Sequence, residues 1–539
     1  MIEYTVSRLM EEAVRSHEDA AALFFPDENV RVSYRQLKEN ADLVSKALLH
    51  NGFRKGEHIG IWSTNCSKWV YLALGAAQIG VVFVPLNVSY KGRELMDICK
   101  RADIHALFTM DSFRGISCAE TVGCFFKDHI LDSVQFPELR AIYDIGSDDC
   151  KPFLTWCDFV CGAESVTDDE LNAAKAEVQN GDVYIIQYTS GTTAKPKGAR
   201  LCQRGVLNTA RCYAQLLHME SSDITCVPLP LFHCYGNVLT LLGGILSGSC
   251  TVYMETFSAK KMLPLLVQEK CTAVMGVPTM YSALMQQPDF DKSLLSIKKA
   301  GTGGSYCPPA LAKQIEERFG MEHLIIGYGL SEAASLCTLS DINDPEGCRL
   351  YTVGKPLPGL EVSLYDRKIG CVSSKAERGE IVVRGFGVML DYYKDAENTA
   401  EALDADGWLH TGDLGTFDEN GYLKISGRIK DIIIRGGENI SPSEIEEVIV
   451  ELDEVQDCQC AGVCDKVMGE EIAAFIIPRA GMSVDPERVR EHVASHLAKY
   501  KIPRYIFIVD AFPVNASGKV LRRKLSEQAL QLIEQHKNI

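Results

Sequence analysis

From Tyr188 to Ala199 the chain reads Tyr-Thr-Ser-Gly-Thr-Thr-Ala-Lys-Pro-Lys-Gly-Ala. Thr189, Ser190, Gly191, Thr192 and Thr193 crowd hydroxyls and backbone N–H groups into one turn, and Lys195 and Lys197 bring two ammonium groups beside it. A turn of that composition can aim donors and positive charge at a single polyphosphate. It is not a Walker loop, because no Gly-Lys-Ser/Thr step opens a helix. Further along, chemistry-bearing side chains recur in short glycine-rich settings. His233 stands among aromatics in Pro-Leu-Phe-His-Cys-Tyr-Gly. Glu332 closes Tyr-Gly-Leu-Ser-Glu, Asp413 closes Trp-Leu-His-Thr-Gly-Asp, and Arg428 sits in Gly-Arg-Ile-Lys-Asp. The fork of Arg428 suits phosphate or ribose oxygens. Near the end, Asn-Ala-Ser-Gly-Lys presents Lys519 on a loop.

Ahead of the hydroxyl-rich turn, Val183 to Ile186 reads as a short buried strand. Ser33 with Gln36 forms a capping-box pattern, and Leu37, Ala41, Val44 and Leu48 then share one helical face. Asn51-Gly52 stops that helix. His58 to Trp62 is a strand, Trp69 to Ala77 a helix, and Val81 to Val84 a strand again. Val206, Ala210, Tyr213 and Leu217 mark a helix after the turn. This βα rhythm predicts a sheet sandwiched by helices. Residues 111–182 are less periodic. From Leu360 to Phe417 the pattern shifts to short alternating runs with Gly and Asp turns, a small barrel or meander. A boundary falls at Gly427–Asp431. Beyond it Ser441, Pro442 and Glu444 give a capping box with proline at the first helical position. Ile445, Val448, Ile449 and Leu452 supply a buried stripe, Ile472 to Ile477 a strand, and Asp485-Pro486 starts a helix carrying Val489, Val493 and Leu497. The fold class expected is α/β: a large N-terminal domain of helix-sandwiched sheets plus a small β-barrel (1–428), then a small mobile α+β C-terminal domain (429–539).

Composition narrows the function. At 539 residues the chain exceeds one core. Its net charge of −17 argues against a nucleic-acid surface, which needs a basic footprint. Twenty cysteines without paired spacing, and no signal peptide, fit a reducing cytoplasm. Cys458, Cys460 and Cys464 lack a histidine or second pair nearby and are expected in a buried strand rather than around zinc. The apolar run Val238–Cys250 is too short to span a bilayer.

Taken together the motifs resemble those of the adenylate-forming superfamily, which includes acyl-CoA synthetases, adenylation domains of peptide synthetases and beetle luciferases. The resemblance runs through the whole chain with the motifs in family order. It implies that residues 189–193 and Lys197 bind ATP phosphates, and that Gly303, Gly304, Ser305, Tyr328, Gly329 and Ser331 flank the adenine. Asp413 would clasp the ribose, a carboxylate on vicinal hydroxyls being a strong charge-assisted acceptor, with Arg428 beside it. Glu332 and Thr192 would hold Mg²⁺, a hard cation that favours oxygen ligands. The acid would lie against His233, Tyr235, Gly236, Val277, Gly301 and Gly303. Gly436, Gly437 and Glu438 would join the pantetheine tunnel of coenzyme A, and Lys430 would be the hinge. Lys519 would bridge carboxylate and α-phosphate as charge develops. Ala194 stands where the family usually has glycine, Cys202-Gln203 where Thr-His is common, and Ser331 where Thr is more frequent. None of these changes removes a required charge.

Where peptide-synthetase domains carry an aspartate for the substrate ammonium, the Phe232–Gly236 segment offers His233 and no acid. A buried ammonium without a counter-charge is costly, so a plain carboxylic acid is expected. The reading is therefore an ATP-dependent, AMP-forming acyl-CoA synthetase acting on a medium- to long-chain fatty acid, with ATP, Mg²⁺ and coenzyme A, no nucleic-acid partner and homodimerisation left open. Alternatives are an aryl- or short-chain-acid ligase, a stand-alone enzyme loading a carrier protein, and a nucleotide-binding module without catalysis.

Overall fold

The computed structural model describes residues 1–539 except 111, 114–115, 128–129, 147–152, 190–195, 322, 368, 374–376, 515–519 and 538–539. The chain divides into two compact units, Met1–Glu361 with Val383–Leu409, and Val362–Val382 with His410–Ile539.

The first unit is built on two sheets. The seven-stranded one runs Leu154–Thr155, Ala141–Asp144, Ile104–Thr109, His58–Trp62, Val82–Pro85, Val183–Thr189 and Lys197–Cys202. Its strands are parallel until the last pair, an antiparallel hairpin whose register sets Thr189 opposite Lys197. The strand expected at Val183–Ile186 thus continues to Thr189, and residues 190–195 of the hydroxyl-rich turn lie outside the described residues. In the nine-stranded sheet, Ala21–Phe25, Cys250–Tyr253, Ile224–Val227, Ala273–Gly276, Lys299–Thr302 and Leu324–Tyr328 are parallel neighbours in that order. Near-continuous apolar strands such as Ala273–Gly276, buried throughout, are what a parallel sheet covered on both faces requires.

Helices cover these strands as the periodicity predicts. Helix Tyr34–His50 begins with a formed Ser33/Gln36 capping box and ends at Asn51, where Gly52 takes φ 80°. Leu37, Ala41, Val44 and Leu48 are all fully buried. Helix Ser67–Gln78 is apolar all round, and every residue but Lys68 is buried, as expected of an interior helix. Gly75 is required there, since a Cβ would lie 2.7 Å from the Ala41 carbonyl oxygen.

The second unit carries two further sheets. One, most of whose residues lie in this unit, has five short, turn-rich strands: Cys371–Val372, Leu360–Asp366, Gly379–Gly385, Leu409–Phe417 and Leu423–Arg428. The other joins Glu438–Ile440, Ile433–Arg435, Gly469–Pro478 and Val455–Asp465, with Tyr505–Ile508 parallel to Gly469–Pro478. Helices Pro442–Ile449 and Pro486–His496 bury Ile445, Val448, Ile449, Val489 and Val493 in one core with Cys458 and Cys460. Cys464, expected to be buried with them, is exposed: alternation puts it on the same face as Cys458 and Cys460, but it sits at the end of the strand, outside the core that covers them. Ser441 also departs from expectation. It precedes helix Pro442–Ile449 but makes no side-chain cap; its hydroxyl instead donates to the Ser426 carbonyl at 2.6 Å. Among the described residues no cysteine is disulfide-bonded, and no helix is long and apolar enough to cross a membrane.

Candidate active site

In a parallel sheet the loops that leave the carboxyl ends of adjacent strands are neighbours, and ligand sites form there. Four of the expected motifs leave the carboxyl ends of adjacent strands in the first unit. Strand Ile224–Val227 leads to His233 and Tyr235, Ala273–Gly276 to Val277, Lys299–Thr302 to Gly303–Ser305, and Leu324–Tyr328 to Gly329–Glu332. The hairpin strand Val183–Thr189 joins them through Gln187, whose Nε2 donates to the Phe232 carbonyl at 2.9 Å.

Around His233 the chain turns sharply. Gly236 is needed because a Cβ would meet the Pro230 carbonyl oxygen at 2.5 Å. From Tyr235 to Leu242 the chain forms a π-helix, a wide coil found often at functional sites. His233 Nε2 is buried with no hydrogen-bond partner among the described residues, and burial pushes the imidazole down to about 4. The ring is therefore neutral at physiological pH, with one nitrogen uncommitted. Tyr235 and Tyr213 meet edge to face, their ring centroids 6.2 Å apart. Both phenols are held protonated by burial. They crowd Gly301: a Cβ there would lie 2.9 Å from Met275 Sδ and 3.4 Å from the Tyr235 hydroxyl. Gly304, at φ 78°, would put its Cβ 3.8 Å from Val277 Cγ1. This half of the site is an apolar wall with a neutral imidazole and two phenols.

The other half is charged. Glu332 Oε1 accepts from the Tyr392 hydroxyl at 2.8 Å, and burial, then Glu332, raises the phenol above its usual range. Lys197 Nζ lies 5.1 Å from the Tyr392 ring centroid, a cation–π distance. Tyr392 is held by backbone pairing of Leu390 and Tyr393 with Arg200 and Gly198 and by the Arg200–Asp391 ion pair, Nε to Oδ1 2.6 Å. Ser331 Oγ is 3.6 Å from Cys234 Sγ, tying the glutamate loop to the histidine loop. Gly329 could not be another residue, since a Cβ would fall 2.1 Å from the Ser335 carbonyl oxygen. After Glu332, Ala334 (φ 49°) and Ser335 (φ 81°) are both left-handed. Non-glycine residues in that region cost about 1–3 kcal/mol each and cluster at active sites and ligand clamps. Tyr392, Tyr213 and Met275 have no motif around them in the sequence; only the three-dimensional packing brings them here.

Other expected residues lie in the second unit. Asp413 is directly opposite Arg428 across two antiparallel strands. Its buried carboxylate meets Arg428 Nε at 2.7 Å. Gly412 (φ 72°) donates its N–H to Glu380 Oε1 at 3.0 Å, and Asp413 N–H donates to Thr411 Oγ1 at 3.1 Å. Lys430 is exposed on the one-turn helix Ile429–Asp431. Gly436 (φ 59°) and Gly437 (φ 87°) form the two-residue turn between Ile433–Arg435 and Glu438–Ile440, the double positive φ that a tight hairpin demands. Ser190, Gly191, Thr192, Thr193 and Lys519 lie outside the described residues.

Comparison with known proteins gives the family. The AMP-binding enzyme family matches residues 10–393 and the AMP-binding enzyme C-terminal domain residues 444–519. YngI from Bacillus subtilis (strain 168), whose name assigns it to the acyl-CoA synthetases, is 38% identical over 539 residues, 99% of this chain and 98% of the relative. The mitochondrial medium-chain acyl-CoA ligase ACSF2 of Bos taurus is 33% identical over 99% of this chain and 88% of its own. The anthranilate CoA ligase AuaEII, solved with anthranoyl-AMP, superposes with a TM-score of 0.87 at 25% identity, covering 99% of each chain. Strands that converge their loops on a neutral histidine and a lysine–tyrosine–glutamate cluster, in a chain matched end to end by such relatives, identify it: the chain belongs to the AMP-binding enzyme family and is an AMP-forming acid–CoA ligase.

Proposed function

We propose that the acid is a medium- to long-chain fatty acid, with medium chains first. The observation that carries this reading is the apolar wall of Tyr213, Tyr235 and Met275 beside Gly301 and of Val277 beside Gly304, which suits a flexible alkyl chain and offers no charged partner for a substrate ammonium. The name of ACSF2 gives independent support.

In this mechanism the carboxylate enters beside His233, whose neutral ring can donate or accept at Nε2 without repelling or trapping the charge. One carboxylate oxygen attacks the α-phosphorus in line, pyrophosphate leaves, and the acyl-adenylate remains. Lys197 and the 189–193 turn hold the phosphates, Tyr328 and the 303–305 turn border the adenine, and Asp413 with Arg428 takes the ribose. Lys519 neutralises charge as the phosphorus becomes five-coordinate. Glu332 and Thr192, an all-oxygen pair suited to a hard cation, would hold Mg²⁺, which would neutralise phosphate charge. The thiol of coenzyme A then attacks the acyl carbon beside Gly436, Gly437 and Glu438, and AMP leaves. The division at 428/429 with a pivot at Lys430 lets one domain serve both steps. We place the enzyme in the cytoplasm.

A panel of acids from acetate to palmitate, with benzoate and anthranilate, scored by coenzyme A-dependent AMP formation, tests the substrate. The expected result is the highest kcat/KM at medium chain length. Preference for acetate or for an aryl acid would overturn the fatty-acid reading, and AMP release only with a carrier protein would overturn coenzyme A as acceptor.

A further inference from the structure

We propose that Glu451, His492 and His496 form a binding site for a divalent transition ion, Zn²⁺ in the first instance. The site belongs to the second unit, and none of its three residues is among those assigned to the nucleotide. His492 and His496 are four residues apart on helix Pro486–His496, so both rings stand on one face, with centroids 4.5 Å apart. Glu451 reaches the same point from just beyond helix Pro442–Ile449. One ligand atom from each of the three lies within 4.8 Å of the other two.

Two further observations point to a ligand. His492 Nε2 is buried without a hydrogen-bond partner among the described residues, yet it faces Glu451 Oε2 at 3.5 Å, too long for a hydrogen bond. His496 Nδ1 lies 2.9 Å from the His492 carbonyl oxygen, which can only accept. Ser495 Oγ, 2.9 Å from the same nitrogen, gives its own proton to that carbonyl at 2.7 Å, so Nδ1 is the donor and the Nε2 lone pair is free, the arrangement that orients a metal-bound histidine. In a tetrahedral zinc site, bonds of about 2.0–2.1 Å set donors roughly 3.3 Å apart. The His492–Glu451 pair is already near that spacing, and the exposed side chains of His496 and Glu451 have room to close the rest.

Two imidazoles and one carboxylate make a three-ligand set with an open fourth position for water. Nitrogen donors select zinc or copper over the oxygen-seeking Mg²⁺ of the nucleotide site. Bound metal would clamp two helices that share one apolar core through Val448, Val489 and Val493, and would stabilise the native unit in proportion to metal concentration.

The test uses the full chain with its exposed thiols, among the described residues Cys157, Cys161, Cys371 and Cys464, first alkylated so that they cannot compete. Zn²⁺ titration calorimetry and thermal melts are run without nucleotide on the parent, His496→Gln and Glu451→Gln, and Co²⁺ absorption reports the ligand type. The parent should bind Zn²⁺ with a rise in Tm, and Co²⁺ should give a visible band typical of nitrogen and oxygen ligands. Each variant should bind at least tenfold more weakly and lose the Tm rise. Because both substituted side chains are exposed, the variants keep the fold, which circular dichroism checks. Zn²⁺ affinity and Tm shift within twofold of the parent in both variants would overturn the site.

Discussion

At the scale of single residues, the environment decides which groups can act. Tyr392 is half of a charged contact that the sequence does not advertise, its hydroxyl donating to Glu332. Tyr392→Phe should lower kcat/KM for ATP about tenfold, the equivalent of about 1.4 kcal/mol, while the KM for the acid changes little. Steady-state kinetics with ATP and acid varied separately would detect this; unchanged ATP kinetics would remove Tyr392 from the site. His233 yields a pH prediction. Its folded value of about 4 lies below the ordinary 6.5, so between those limits the unfolded chain binds the extra proton. Stability associated with this group is intact above pH 6.5 and declines as pH falls toward 4. In kcat/KM for the acid, which reports the free enzyme, His233 should give no limb between pH 6 and 8. A limb near pH 6.5 that vanishes in His233→Asn would show that the imidazole is solvated and charged instead. His233→Ala should raise the KM for the acid or lower kcat, with ATP affinity kept.

At the scale of elements, two serines with the same local pattern behave differently. Ser33 caps helix Tyr34–His50 through Gln36 N–H, so Ser33→Ala should cost about 1 kcal/mol. Ser441 gives its hydroxyl to Ser426 and makes no cap. Ser441→Ala should leave amide exchange in the first turn of Pro442–Ile449 unchanged, whereas Ser33→Ala should speed it in the first turn of Tyr34–His50. Equal effects in both helices would mean that Ser441 caps in solution. The difference arises because a hydroxyl bonds whichever partner the tertiary structure brings closest.

At the scale of the whole molecule, the proposed mechanism asks one domain for two tasks, Lys519 in adenylation and the Gly436–Gly437 turn in thioester formation. Lys519→Ala should abolish acyl-adenylate formation and leave conversion of a supplied acyl-adenylate largely intact. Gly437→Trp should do the reverse. Gly437 has φ 87° and open space where a side chain would go, so Gly437→Ala carries the same backbone strain, about 1–2 kcal/mol, without the bulk. The alanine variant should therefore keep the second half-reaction that the tryptophan variant loses. If Lys519→Ala and Gly437→Trp lose the same half-reaction while remaining folded, the two-conformation account fails.

Much of this protein was legible in its sequence because the governing physics is local. The Ser33 cap, the stripe of Leu37, Ala41, Val44 and Leu48, the all-apolar helix at Ser67–Gln78 and the strand ahead of the hydroxyl-rich turn follow from hydrogen-bond patterns and periodicity within a few residues. The glycine-rich motifs carried the family resemblance in the same way, since Gly329 stands where a close backbone admits no side chain and Gly436 and Gly437 where positive φ penalises one. Tertiary structure alone decided the rest. Parallel strands far apart in sequence set the His233, Gly303 and Glu332 loops side by side. Pairing along Lys197–Cys202 delivered Tyr392 to Glu332. Helix packing brought Glu451 to His492. Such contacts join segments whose separation along the chain carries no periodic signal, so the partner of a buried hydroxyl or an imidazole nitrogen is fixed only when the sheets and helices have packed.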